Sequence, residues 1–201
     1  MDKEISRGVF FLKENDKILG ELINRIGHCK LRPSRDYFGS LVRTIISQQL
    51  SEKAANAIFI KLLNELNCKL TPTSVMNLSG QQFIKSGVSK QKRAYLIELA
   101  AAFKNGKVRL RAFSEEDNER LISYLTTFRG IGRWSAEMFL IFCLNRPNIL
   151  PLDDVGFKKA LMLRYGLPKR PNDLVIKRIS KNWGSYMSIA VWYLWQSVNG
   201  D

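Results

Sequence analysis

The sequence predicts an all-α protein, on three observations. Apolar residues recur at three- and four-residue steps almost everywhere, no segment alternates apolar with polar residues as a half-buried strand does, and helix caps and stops punctuate the periodic runs. The opening region from Ile5 to Ile26 has helical spacing. Tyr37-Phe38 leads into a helix carried by Leu41, Ile45 and Ile46, and Ala55, Ile58, Phe59, Leu62, Leu63 and Leu66 mark one face of the next. Leu96, Leu99, Ala100 and Phe103 mark another, stopped by Asn105-Gly106. Ser114 followed by Glu115, Glu116 and Asp117 predicts an N-cap with an acidic first turn, ahead of Leu121, Leu125 and Phe128. Pro168 to Pro171 predicts a connection, and Ile189, Ala190, Tyr193 and Leu194 a closing helix. About ten helices are expected from this periodicity. No internal repeat, low-complexity tract or long linker divides the 201 residues, so a single domain over 1–201 is expected, with one core or two interlocked lobes.

Composition narrows the function. Lys and Arg total 32 against 18 Asp and Glu, a formal charge of +14, while 45% apolar residues exclude a disordered basic tail. A folded, cationic protein favours a polyanionic partner, and nucleic acid is the commonest. Cys29, Cys68 and Cys143 are far apart, and His28 is the only histidine, so a structural zinc or an iron–sulfur cluster lacks ligands. The same scarcity excludes any histidine base other than His28, for which a surface or capping role is expected, and it fits a reducing compartment. No stretch approaches the roughly 20 apolar residues of a membrane span. The N-terminus lacks a signal-peptide apolar run, so a soluble, monomeric protein of the cytoplasm and nucleoid, or of a eukaryotic nucleus, is expected, with no membrane partner.

The most informative segment runs Leu125-Thr-Thr-Phe-Arg-Gly-Ile-Gly-Arg-Trp-Ser-Ala-Glu-Met-Phe-Leu140, two helical patterns joined at Gly130-Ile131-Gly132. Glycines there allow a tight turn and a close approach by a polyanion, and amides at the start of the second helix make a ready phosphate site flanked by Arg129 and Arg133. An ordinary turn between two helices would need nothing more than the glycine stop. About twenty residues further on, Leu150-Pro-Leu-Asp-Asp-Val-Gly156 is a proline-stiffened loop ending in two carboxylates at a helix start, where capping alone is the bland alternative.

With Leu41-Val-Arg-Thr-Ile-Ile-Ser-Gln-Gln-Leu-Ser51 upstream and Ala190-Val-Trp-Tyr-Leu-Trp195 downstream, these segments resemble the helix-hairpin-helix DNA glycosylase superfamily, in its 3-methyladenine DNA glycosylase II (AlkA-like) group. The resemblance covers roughly residues 35 to 196. It implies two helical lobes with an interlobe active-site cleft, and a partner in double-stranded DNA containing damaged bases. It implies Asp154 as the catalytic carboxylate, with Asp153 a cap or supporting group. The base pocket would be lined by Trp134, Met138, Trp192 and Trp195. Gln49 aligns with the residue that fills the gap left by a flipped nucleotide, with Leu50 its apolar neighbour and Gln48 beside it. Gly130, Gly132, Arg129, Arg133 and Ser135 would grip the DNA backbone, and the carbonyls of Thr126, Phe128 and Ile131 match positions that hold a monovalent cation, Na+ or K+, in related proteins.

No other cofactor is implied. Trp134 stands where bifunctional members carry the Schiff-base lysine, which implies a glycosylase without lyase activity. Two departures stand out: Arg129 where the hairpin usually has proline, and Met187 where the C-terminal motif often has arginine. The function expected is removal of alkylated purines in base excision repair. The alternatives are a same-fold glycosylase for uracil, hypoxanthine or mismatched bases, and a non-catalytic hairpin module that binds DNA backbone only.

Overall fold

The computed structural model describes residues 3–198, and thirteen α-helices plus one 3-10 turn account for its regular structure, with no strand among the described residues. In chain order these are α1 (Lys3–Asn15), α2 (Lys17–Ile26), α3 (Tyr37–Ser47), α4 (Glu52–Glu65), α5 (Pro72–Asn77), α6 (Gly80–Ser86) and α7 (Lys90–Lys104). Then follow α8 (Ala112–Glu115), α9 (Asn118–Leu125), α10 (Arg133–Phe142), α11 (Val155–Arg164), α12 (Asp173–Ser180), the 3-10 turn Lys181–Trp183 and α13 (Met187–Val198). The count exceeds the expected ten because α5, α6 and α8 are too short to show periodicity.

The chain forms two compact units, 34–139 and the combination of 1–33 with 140–201, one boundary falling after Pro33 and the other inside α10. In the 34–139 unit, α3 supplies a buried stripe of Leu41, Val42, Ile45 and Ile46, while Tyr37, Phe113 and Phe139 form an edge-to-face aromatic cluster with centroids 5.0 to 6.4 Å apart. The expected cap at Ser114 is displaced: Ser114 lies inside α8, and Asp117 caps α9 by accepting from the Arg120 amide at 2.9 Å. Both residues precede the same apolar run by a few positions, so sequence alone favoured the wrong oxygen.

The other unit is built around α13, whose Ile189 to Leu194 run is buried throughout. Its α1 and α2 break at Asp16, a buried carboxylate with three donors: the Leu19 amide at 3.1 Å, the Tyr165 hydroxyl at 2.6 Å and the Trp183 indole N–H at 2.9 Å. Burial, reinforced by that carboxylate, pushes the Tyr165 phenol well above its usual range. Cys29 and Cys143 are buried and Cys68 is exposed, and burial pushes the Cys29 thiol up to about 11. No helix among the described residues is long and apolar enough to cross a membrane.

Asp16→Ala removes a helix cap and strands the buried Trp183 indole N–H and the half-buried Tyr165 hydroxyl, so it is expected to destabilise the protein by about 3 kcal/mol in urea unfolding. Retention of wild-type stability would show that water replaces the carboxylate without cost.

Candidate functional site

In the 34–139 unit the chemistry gathers at two turns. The first joins α3 to α4. The Leu50 amide donates to the Ser47 carbonyl at 3.2 Å, Gln48 has φ −54° and ψ 128°, and Gln49 has φ 58°. These angles define a type II turn, whose third position normally requires glycine. A glutamine there costs about 1–2 kcal/mol, so its surroundings must hold it. They do so at Gln48, whose side-chain amide donates to the Gly130 carbonyl at 2.7 Å and to the Ser135 hydroxyl at 2.8 Å. Lys92 on α7 donates to the carbonyls of Ile46 at 2.7 Å and Gln48 at 2.8 Å, and burial holds its amine below the usual lysine range. Ser51 closes the turn by capping α4. Gln49 and Leu50 are left exposed at the tip.

The second turn is the hairpin between α9 and α10. The Ile131 amide donates to the Phe128 carbonyl at 3.0 Å, with Gly130 at φ 86°. A Cβ on Gly130 would overlap the Tyr95 ring, whereas one on Gly132 would meet nothing within 4 Å. The two glycines therefore answer different demands: Gly130 makes the turn, and Gly132 leaves open space at the start of α10. Between the two turns lies a groove of about 610 Å³, lined among others by Gln49, Leu50, Lys92, Tyr95, Arg129 and Gly132.

Several sequence expectations change here. The Gln48 side chain is committed to the hairpin by these two hydrogen bonds, which leaves Gln49 and Leu50 as the exposed residues of the tip. Ser135 is 2% exposed with its hydroxyl turned to Gln48, so only its main-chain amide can serve a phosphate. Arg133 is clasped by Glu119 at 2.6 and 3.0 Å and by Glu137 at 3.0 Å, which raises its own pKa and lowers that of Glu119. It staples α9 to α10 rather than offering a bare guanidinium. Arg129 pairs with Glu98 at 2.8 Å and lies over the Tyr95 ring at 5.7 Å, yet stays largely exposed. Trp134 is half-buried and Met138 buried. The carbonyls of Thr126, Phe128 and Ile131 are neutral oxygen donors of the kind that suits a monovalent cation; that of Phe128 already accepts one amide. Among the described residues no cluster of three or more His, Cys, Asp or Glu side chains could hold a metal ion.

In the other unit, Asp154 is the N-cap of α11 and only 9% exposed. Its Oδ1 accepts from the Phe157 amide at 2.5 Å and from the Trp195 indole N–H at 2.9 Å. The capping reading and the catalytic reading thus fall on one residue, and Asp153, expected as a cap or supporting group, is exposed. Gly156 lies close under both partners: a Cβ there would sit 3.3 Å from Asp154 Oδ1 and 3.6 Å from the indole nitrogen. Trp195 in turn stacks on Phe142, with centroids 5.4 Å apart and planes 22° apart, and Phe142 is 47% exposed. Phe142 was missed in the sequence, although it stands four residues after Met138 and eight after Trp134 on α10. Trp192 is buried, 5% exposed and edge-on to Tyr193 at 4.9 Å.

The family model of the HhH-GPD superfamily of base excision DNA repair proteins matches residues 42–186. DNA-3-methyladenine glycosylase 1 of Schizosaccharomyces pombe is 33% identical over 189 residues, covering 92% of this chain and 83% of that protein. The structure of Schizosaccharomyces pombe 3-methyladenine DNA glycosylase (Mag1) in complex with abasic DNA superposes with a TM-score of 0.83 at 30% identity, covering 96% of this chain and 97% of that one. DNA-3-methyladenine glycosidase from Bacillus halodurans gives a TM-score of 0.76 at 29% identity, covering 94% and 88%.

The two hairpin glycines should separate experimentally. Gly130→Ala is expected to lower stability by at least about 2 kcal/mol through backbone strain and overlap with Tyr95. Gly132→Ala should leave the melting temperature within error; equal losses in thermal melts would contradict this division of roles.

Proposed function

The chain belongs to the helix-hairpin-helix superfamily of base excision DNA repair proteins, and we propose that it is a monofunctional DNA-3-methyladenine glycosylase, which takes an alkylated purine out of duplex DNA and hydrolyses its N-glycosidic bond to leave an abasic site. The observation that carries this reading is the arrangement at Asp154: a buried carboxylate aimed by a helix start and an indole, beside a stacked aromatic pair.

Cleavage of a base–sugar bond builds positive charge on C1′ and O4′, and a fixed anion in a water-poor site stabilises that oxocarbenium-like state. Asp154 supplies the anion. The Phe157 amide and the Trp195 indole N–H, both neutral donors, orient its Oδ1, and the same carboxylate can direct the attacking water. A purine alkylated at a ring nitrogen is already cationic and departs as a neutral molecule, so no strong general acid is needed. That suits a chain whose only histidine, His28, is exposed. Aromatic faces attract a cationic base at roughly 0.5–2 kcal/mol per contact. Trp195 and Phe142 offer such faces; a base-contacting role for Trp134 and Met138 rests on the family resemblance alone.

Extruding the base costs unstacking energy, which the wedge offsets by filling the vacated space. Gln49 and Leu50, displayed at the tip of a pinned turn, take that role. The backbone is gripped at Gly130, Gly132 and the first amides of α10, with Arg129 nearby; the carbonyls of Thr126, Phe128 and Ile131 would hold a Na+ or K+ ion, which when bound would supply a positive charge for a DNA phosphate. Trp134 cannot form an imine, hence the assignment as a glycosylase without lyase activity. The protein acts as a monomer on damaged double-stranded DNA.

Release of 3-methyladenine from methylated duplex DNA tests the reading. Asp154→Asn keeps a good helix cap and should fold normally, yet base release should fall at least about a hundredfold. Undiminished release by that variant would reject the mechanism. Release of uracil or hypoxanthine in place of methylated purines would move the specificity, and DNA binding without any release would reduce the protein to a backbone-binding module. Borohydride treatment with an abasic duplex should trap no covalent adduct; a trapped adduct would contradict the monofunctional assignment.

A further inference from the structure

The turn at Ser47–Leu50 holds Gln49 at φ 58°, a conformation that glutamine adopts only under constraint. In such a turn the peptide between the second and third residues can flip, converting type II to type I and returning the third residue to negative φ. The carbonyl that would swing in this flip is that of Gln48. It accepts a hydrogen bond from Lys92 Nζ at 2.8 Å, and the same ammonium binds the Ile46 carbonyl two peptides earlier in the α3 terminus at 2.7 Å. Lys92 comes from α7, 44 residues away, and places its positive charge at the negative end of the α3 dipole. The Gln48 side chain is separately anchored to Gly130 and Ser135, so both ends of the residue before the tip are fixed.

We propose that Lys92 is a positioning residue for duplex opening: it holds the Gln48–Gln49 peptide in the orientation that presents Gln49 and Leu50 as a rigid wedge. This rests on the glycosylase reading above and assigns Lys92 no contact with the reacting atoms. Without the lysine the turn relaxes, the tip loses its fixed direction, and the cost of extruding a stacked, paired base is no longer offset. A base that is already unpaired requires little of that work.

The test compares Lys92→Met, which keeps the apolar stem and removes the donors, with Lys92→Arg, which keeps donors. Release of 3-methyladenine is measured from two DNAs, one with the target paired in a duplex and one with it in an unpaired bubble. Lys92→Met is expected to slow release from the paired target at least about tenfold and from the bubble less than about threefold, and Lys92→Arg to recover most of the difference. Equal losses on both substrates, or no loss on the paired one, would overturn the proposal. Should Lys92→Met melt below the assay temperature, Lys92→Leu, which also lacks donors, takes its place in the same comparison.

Duplex opening is also read without chemistry, from the brightening of 2-aminopurine placed beside an abasic-site analogue. If wild-type protein releases no base from either DNA, the glycosylase reading fails, whereas brightening by wild type and not by Lys92→Met still sustains the role of Lys92. Equal brightening by both overturns it.

Discussion

A carboxylate removed from water must find donors inside the protein or lose several kcal/mol, and this requirement organises both units. Asp16, Glu137 and Asp154 are buried, and each is met differently. Asp16 draws a backbone amide, a phenol and an indole onto its two oxygens, tying the start of α2 to Tyr165 and Trp183. Glu137 shares Arg133 with Glu119, which fastens the hairpin. Asp154 takes the Phe157 amide and the Trp195 indole on Oδ1. The first arrangement is a structural hub, the second an ion-pair clasp, and the third orients an anion with neutral donors.

A second constraint is local to the 34–139 unit. Two turns carry a positive φ at their third residue, and the chain meets that demand in opposite ways. At Gly130 the residue type removes the strain, and the Tyr95 ring fills the space a side chain would need. At Gln49 a full side chain is retained in the strained position, and hydrogen bonds from Lys92 and through Gln48 hold it there. The Gln48 amide also joins the two turns directly. Glycine at position 49 would make the same turn without strain, but under the proposed function would leave no side chain to insert into DNA.

Much of this was legible from residue order. Helical spacing identified the long helices, Asn105-Gly106 stopped α7 as expected, and the carboxylate before Val155-Gly156 stood at a helix start. What escaped was non-local or too short. Helices of four to seven residues, α5, α6 and α8, show no period. The bond between Lys92 and the α3 terminus spans 44 residues and leaves no local trace. Arg133 looked like a free phosphate ligand because Glu119 lies 14 residues away on the opposite arm of the hairpin, although Glu137 at four residues' distance was a visible helical partner. Trp192 and Trp195 looked equivalent by type. Their three-residue spacing does not itself say which one turns into the core, and the indole N–H bond to Asp154 distinguishes them.

The pairing of Arg129 and Arg133 with glutamates changes how the positive charge of the chain should be understood. A surplus of +14 suggests an arginine-lined grip, yet at the hairpin the two arginines are tied to Glu98, Glu119 and Glu137. Under the proposed function, fixed neutral dipoles act at both key points: main-chain amides on phosphate at the α10 start, and an amide and an indole on the Asp154 carboxylate. Preorganised dipoles need little rearrangement as charge develops, and they are less weakened by salt than exposed ion pairs. The remaining cations then serve long-range attraction of DNA, while discrimination falls to the bond being broken. An alkylated purine leaves more readily than an intact one, so a site with one well-aimed anion and aromatic walls can be selective without a dedicated proton donor.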